Sequence, residues 1–236
     1  VQRLRTPDAP AGAATKPLFD RLAPGYDRGN RAITLGQDLR WKRHAVALLG
    51  PRPGGCYLDC GAGTGDLTKL ILHDTRGQAQ AIALDASREM MDRGGLPGLP
   101  GVRCVVADAA EPGLPDGSMD GVVTGFLLRH IADPAHFFAS MRRLLKPGGR
   151  LVVLEVALPR SAPLRVLFRA YFHGVVPLLG GLATGQWRAY RYLSRSLRRF
   201  PAPQELARIA AEQGLGAVRL ERRRLSGIFF LVAEAA

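Results

Sequence analysis

Apolar residues gather along much of the chain in short, nearly unbroken runs rather than in strict alternation. Cys56–Cys60, Ala79–Leu84, Val102–Ala107, Met119–Thr124 and Arg150–Val156 are such runs. A strand covered on both faces reads this way, because side chains pointing to either side meet a core. Between the runs the period changes. Trp41, Ala45, Leu48 and Leu49 recur at helical spacing within Asp38–Leu49, and Gly50-Pro51 ends the pattern. Leu67–Leu72, Pro134–Leu145 and Pro203–Gln213 also read as helices. Lys146-Pro147-Gly148-Gly149 closes the second of these and Gly214 the third. Two further strands, Ala217–Leu220 and Ile228–Ala233, finish the chain. Strands alternating with helices predict an α/β fold built on a doubly wound, mostly parallel, seven-stranded sheet.

Residues 158–200 interrupt that rhythm. They read as helical, apolar and rich in arginine, and are expected to form a helical cap inserted after the fifth strand. Residues 1–17 contain Ala and Pro but no apolar core of a signal peptide, and read as a mobile tail before a single domain, 18–236. No apolar run is expected to reach the roughly 18 residues of a membrane-spanning helix.

Hydrophobic residues make up 47% of the 236, enough for a sizeable core. Cys56, Cys60 and Cys104 all fall in apolar runs and lack the spacing of a zinc site. Buried thiols, no metal and a reducing, cytoplasmic compartment are therefore expected. Thirty-three basic residues against 20 acidic ones leave a formal charge of +13. The excess favours anionic partners, a phospholipid surface among them. It concentrates at Arg188, Arg191, Arg195, Arg198 and Arg199, and again at Arg219–Arg224. No motif with interleaved aromatics accompanies it, so no nucleic acid is expected.

The strongest local signal is Leu58-Asp59-Cys60-Gly61-Ala62-Gly63-Thr64-Gly65-Asp66. Glycines at alternate positions after a strand permit a sharp turn and close approach of a ligand. Asp66 stands where a dinucleotide fingerprint needs Gly or Ala. An acid there opposes a pyrophosphate but suits a cofactor carrying a sulfonium and an ammonium. Asp59, just before the turn, is expected to hold that ammonium through water or backbone. Asp85 ends the second strand, where a carboxylate accepts from both ribose hydroxyls. Asp108 ends the third and is expected to reach an adenine amino group. Singly, each aspartate can be a helix cap or turn former. Together, at successive strand ends, they point to S-adenosyl-L-methionine, with Gly61, Gly63, Thr64, Ala86 and Ala109 in the same crevice.

Three patches outside the turn carry a family resemblance. Phe19-Asp20, Tyr26-Asp27 with Asn30, Gly36 and Trp41 form the first. The second is Arg143-Leu144-Leu145-Lys146-Pro147-Gly148-Gly149-Arg150, running into Leu154-Glu155. The third is Tyr190-Arg191-Tyr192-Leu193 with Ser196 and Arg198-Arg199-Phe200-Pro201. With them the chain resembles the quinone-biosynthesis C-methyltransferases from Phe19 to about Val232. The resemblance implies a class I, Rossmann-like methyltransferase acting on the ring of a lipophilic quinol such as demethylmenaquinol. The chain departs from that family at Gly61-Ala62-Gly63, at Gly125 and His130, where the family carries Ser and Asn, and at Asp38, where it carries His.

Ring carbon is a poor nucleophile until a neighbouring hydroxyl gives up its proton. Arg129 and His130 follow the fourth strand at the crevice edge. Arginine stays protonated and is assigned to stabilising the developing phenolate. His130 is expected to remove the proton, and Tyr26 to close over the site from the N-terminal segment. Apolar cap residues from Leu164 to Leu179, punctuated by Arg165 and Arg169, are expected to line a tunnel for the tail or to lie on a bilayer. The enzyme is then cytoplasmic, peripheral at the inner face of a membrane, with a homodimer compatible. Methylation of O or N on another amphiphile, a basic binding module on an inherited fold, and rearrangement without methyl transfer stay open beside it.

Overall fold

The computed structural model describes residues 12–159, 161–197, 200–223 and 227–236. Seven strands form one sheet: β1 Cys56–Cys60, β2 Gln80–Asp85, β3 Val102–Val106, β4 Met119–Gly125, β5 Leu145–Val156, β6 Leu215–Arg222 and β7 Ile228–Ala235. Their order is β3-β2-β1-β4-β5-β7-β6. The first five run parallel, and β7 lies antiparallel to both β5 and β6. The expected sheet is thus present. β5 starts at Leu145, earlier than the expected Arg150.

Consecutive strand residues divide between two cores, which is why the runs are apolar without alternating. Leu58, Val122, Leu151, Val153, Phe229 and Leu231 enter one cluster. Tyr57, Val123, Val152, Leu154, Phe230 and Val232 enter the other. Adjacent side chains of a strand point to opposite faces, so both faces must be covered.

The helices are α1 Gly12–Leu22, α2 Tyr26–Thr34, α3 Asp38–Leu49, α4 Asp66–Asp74, α5 Arg88–Arg93, α6 Pro134–Leu144, α7 Ala162–Ala170, α8 Val176–Thr184, α9 Trp187–Ser196 and α10 Pro203–Glu212. Local chemistry fixes several ends. Asp133 caps α6 by accepting from Ala135 N and His136 N at 3.0 and 3.1 Å, with Pro134 at the first helical position. Ser87 caps α5, and Gly50 at φ +64° ends α3.

The tail reading needs correction. Residues 1–11 lie outside the described residues, but 12–17 belong to α1. The reason is tertiary: Leu22 is buried, and Leu18 and Phe19 pack beside it against Val176, Ala189, Tyr190 and Leu193 of the cap.

The cap is helical as expected. Through a π-helical turn at Tyr171–Val175, α7 and α8 form one continuous helix, Ala162–Thr184. It has 23 residues, with an 18-residue stretch of mean hydropathy 1.4, and is long and apolar enough to cross a membrane by length and composition alone. This differs from the reading of the sequence, in which Arg165 and Arg169 punctuate the run and no stretch reaches that length. The cap closes on the domain through a slot of small residues. A Cβ on Gly29 would fall 1.7 Å from the Tyr190 hydroxyl oxygen, and one on Gly180 would fall 2.2 Å from its ring. Glycine at both positions lets α2 and α8 clasp Tyr190.

Candidate active site

The sheet order reverses between β1 and β4, and the crevice opens beyond their carboxyl ends, where open α/β sheets bind ligands. The turn after β1 forms one wall. Gly61, Gly63 and Gly65 have φ of +76°, +55° and +79°, values L side chains rarely adopt. Space excludes side chains as well: a Cβ on Gly61 would meet Leu127 at 2.9 Å, and one on Gly65 would meet Leu96 at 2.2 Å.

A cleft of about 640 Å³ lies against this turn. Gly61, Gly63, Asp85, Ala86 and Ala109 line it, together with Lys16, Phe19, Ser87, Met90 and Ile131. Asp85 accepts from Gly63 N and Ser87 N, each at 2.8 Å, so its carboxylate is fixed while each oxygen keeps a further lone pair. Burial pushes the Asp85 carboxyl above the usual range.

Three expected contact residues instead build the wall from behind. Asp59 is fully buried, and its Oδ2 accepts from Thr68 N at 2.9 Å and Thr68 Oγ1 at 2.6 Å. Its Oδ1 has no hydrogen-bond partner. Desolvation raises its pKa to about 6. Thr64 donates to Asp27 Oδ1 at 2.7 Å and ties α2 to the turn. Asp108 accepts from Ala110 N at 2.8 Å, shaping the loop that presents Ala109. A carboxylate fixed at the mouth, with a buried, half-satisfied one behind it, fits a cationic ribose-bearing cofactor.

A second cavity of about 840 Å³ adjoins the first. Phe19, Tyr26, Phe126 and His130 line both. Phe168, Tyr171, Phe172, Val176 and Leu193 of the cap and Trp41 of α3 make the second mostly apolar. Its polar members include Asn30, Thr34, Asp38 and Arg129. Phe126 adopts φ +58°, a conformation that costs a side-chain-bearing residue about 1–3 kcal/mol. That backbone turn presents its ring to Trp41, at 6.5 Å, and to the Arg129 guanidinium, at 5.7 Å.

Arg129 and His130 do converge here, in a short helical turn at Leu128–His130. Arg129 Nη1 lies 3.6 Å from Oε1 of Glu155, which is completely buried. Burial raises the Glu155 carboxyl and Arg129 lowers it, with burial winning. His130 is buried between Phe19, edge-on at 5.4 Å, and Tyr192, stacked at 5.7 Å. Its Nε2 accepts from Arg129 Nε at 3.4 Å, and its Nδ1 faces the Tyr192 hydroxyl at 3.2 Å. Desolvation, helped by the arginine charge, drops its pKa to about 3. The expectation that His130 removes the proton therefore meets a neutral ring with its acceptor nitrogen engaged.

The profile of the ubiE/COQ5 methyltransferase family matches residues 11–231. The chain belongs to this family. It is 39% identical over 208 residues to a demethylmenaquinone methyltransferase of Thermus thermophilus, covering 86% of this chain and 93% of that one. It is 35% identical over 221 residues to a ubiquinone/menaquinone biosynthesis C-methyltransferase of Geotalea uraniireducens, covering 92% and 93%. Among solved structures, Haemonchus contortus phosphoethanolamine N-methyltransferase 2, bound to S-adenosylhomocysteine, superposes with a TM-score of 0.63 at 16% identity. That match covers 92% of this chain and 60% of the other. The [4+2]-cyclase SpnF matches equally well, with a TM-score of 0.63 at 18% identity over 97% of both chains. Identities this low establish the shared fold, and a cyclase beside a methyltransferase shows that the fold alone does not select a reaction. Family membership makes this chain a methyltransferase.

The structure also gives contacts to residues the sequence reading left without a role. Asp27 clamps the glycine turn through Thr64, and Glu155 holds Arg129. Lys16 and Phe19 were missed as cleft residues because the segment carrying Lys16 read as tail.

Proposed function

We propose that the protein transfers a methyl group from S-adenosylmethionine to a ring carbon of a lipophilic para-quinol such as demethylmenaquinol. The single observation that carries this is the junction of the two cavities at Phe19, Tyr26, Phe126 and His130. A cleft walled by glycines and bearing Asp85 and Lys16 meets a more apolar one with Asn30, Thr34, Asp38 and Arg129 in its lining.

The cofactor supplies a methyl group already activated on sulfonium. Asp85 holds the ribose side and Lys16 offers a cation to the methionyl carboxylate. Arg129, paired with Glu155 yet lining the acceptor cavity, stabilises negative charge on a ring oxygen. Phe126 and Trp41, packed edge to face, give the ring an aromatic wall, and the apolar walls exclude water from the junction. His130 is a neutral wall that fixes the Arg129 side chain. Purified enzyme given S-adenosylmethionine and a reduced demethylated naphthoquinone with a short isoprenoid tail releases S-adenosylhomocysteine under this reading. The same enzyme releasing none with the quinol counts against it.

The cap supports a peripheral place at an anionic membrane. Val166, Leu167, Leu178 and Leu182 of the long helix are more than half exposed, and Trp187 is exposed beside them. Arg169, Arg188 and Arg191 are exposed on the same cap. An apolar face flanked by arginines suits the interface of a bilayer carrying anionic lipids. The opposite side of the helix lines the acceptor cavity, so the cap can receive a membrane-dissolved substrate.

A further inference from the structure

We propose that Asp38 is the catalytic base that takes the proton from the acceptor's ring hydroxyl. The inference rests on the quinol reading above. Among the described titratable residues lining the acceptor cavity, Tyr26, Asp38, Arg129, His130 and Tyr171, the others are committed elsewhere. Tyr26 is a buried phenol whose ionisation desolvation opposes, so it offers no anionic oxygen. The Tyr171 hydroxyl donates to Ile33 O. Arg129 has no lone pair to offer, and His130 Nε2 accepts from it. Asp38 is a buried carboxylate that lines the cavity from the start of α3.

The surroundings of Asp38 hold its carboxylate while matching its charge only in part. Lys42 Nζ lies 2.7 Å from Asp66 Oδ2 and 3.5 Å from Asp38 Oδ2. Two carboxylates thus converge on one ammonium and leave a surplus negative charge. Protonating Asp38 removes that surplus, and Lys42 keeps its closer partner. The other oxygen tells the same story. Thr34 Oγ1 is 2.7 Å from Asn30 O and 3.1 Å from Asp38 Oδ1. A hydroxyl has a single hydrogen, and the shorter contact claims it. The Asp38 Oδ1 contact therefore takes only a minor share of the threonine hydrogen and leaves that oxygen a lone pair for a substrate proton.

The step balances without any further reactant. The ring O–H bond breaks, its proton passes to Asp38, and its electron pair moves into the ring. The ring carbon bonds to the methyl as the carbon–sulfur bond breaks, and the sulfur keeps that pair. The C–H proton at the methylated carbon leaves to solvent, aromaticity returns, and Asp38 gives its proton back to the ring oxygen. One proton is released per methyl transferred. A para-quinol carries two ring oxygens, and the cavity lining offers Asp38 and Arg129 as polar partners for them.

The test uses Asp38→Asn and Asp38→Glu with S-adenosylmethionine and the short-tailed demethylated naphthoquinol. Loss of a general base lowers turnover by about 10²–10⁴-fold. Asp38→Asn is expected to show such a loss, with S-adenosylhomocysteine affinity unchanged and partial recovery in Asp38→Glu. The deficit should shrink as pH rises toward the quinol's own ionisation, where the substrate deprotonates unaided. A deficit constant at every pH, or full activity in Asp38→Asn, overturns the proposal. If Asp38→Asn fails to fold, Thr34→Val replaces it. Removing the hydroxyl that donates to the Asp38 carboxylate should lower turnover and move the acidic limb of the rate profile to higher pH; an unmoved limb overturns the proposal. A wild type inactive on the quinol removes the acceptor reading and this proposal together, whereas an active wild type isolates the outcome to Asp38.

Discussion

Glu155 is buried completely and faces the Arg129 guanidinium at 3.6 Å across the end of the sheet. Neither charge is comfortable alone. Removing one member of a buried pair costs about 3–5 kcal/mol, because the other is left uncompensated. Glu155→Gln should lower unfolding free energy by an amount at the low end of that range, since the Arg129 side chain keeps slight exposure, and turnover should fall with it. Chemical denaturation reads the first and steady-state assay the second. Arg129→Lys keeps the charge but loses the planar fork. It should reduce activity while leaving S-adenosylhomocysteine affinity intact; equal loss of both would make Arg129 a structural residue only.

His130 provides a pH test with a defined sign. Its pKa is depressed from 6.5 to about 3, so its contribution to stability is present above about 6.5 and is lost as pH falls toward 3. The displacement corresponds to roughly 5 kcal/mol at full loss. The unfolding free energy of wild type minus that of His130→Asn should therefore fall between about pH 7 and about pH 4. A difference independent of pH would mean that the ring is solvated. The rate profile of His130→Asn above about pH 6 should match wild type in shape, because the residue does not titrate there.

Asp59 carries the opposite sign. Its pKa is raised to about 6, so its stabilising contribution is present below about 4 and is lost as pH rises through 6. Asn at this position can still accept from Thr68 while carrying no charge. Asp59→Asn should gain stability relative to wild type across that window, by about 2–3 kcal/mol. Wild type should recover the difference when S-adenosylmethionine binds, since a cation in front of Asp59 favours its ionised form. Thermal melts with and without cofactor, at both ends of the window, decide it.

Asp85 is the expected ribose anchor. Asp85→Ala should weaken S-adenosylmethionine binding by about 1–3 kcal/mol, the loss of hydrogen bonds to a charged group. Calorimetric titration giving an unchanged affinity would remove Asp85 from the site.

The long cap helix predicts salt-sensitive binding to anionic vesicles, because exposed charges are screened within about 10 Å at 0.1 M salt. Leu167→Glu and Leu182→Glu, both at exposed positions, should abolish co-sedimentation while leaving the fold intact. Equal binding to neutral and anionic vesicles would contradict the role given to the arginines.

The sheet was legible because its strands are apolar on both faces and its first turn needs three glycines in the left-handed region. What failed to show in the sequence is non-local. Asp59, Thr64 and Asp108 occupy the expected strand-end and turn positions, but their side chains bond to Thr68 of α4, Asp27 of α2 and Ala110 of the loop after β3. α1 holds Pro17 and gains its place from contacts with a cap more than a hundred residues away, as Leu22 against Val176 shows. His130 reads as a base on its ordinary pKa, and only burial beside Arg129 reveals otherwise. The length of Ala162–Thr184 was hidden by Arg165 and Arg169, which punctuate the apolar run without ending the helix.

The central claim is carbon methylation of a quinol, and the position of the transferred methyl tests it most directly. The purified enzyme is incubated with trideuteriomethyl-labelled S-adenosylmethionine and reduced demethylated naphthoquinone bearing a short isoprenoid tail. Mass spectrometry and carbon NMR then locate the label after reoxidation. The account predicts a deuterated methyl bonded to ring carbon, formed in equal amount with S-adenosylhomocysteine and retained in the oxidised quinone. Label on a ring oxygen, or no labelled product while the cofactor binds, would contradict it.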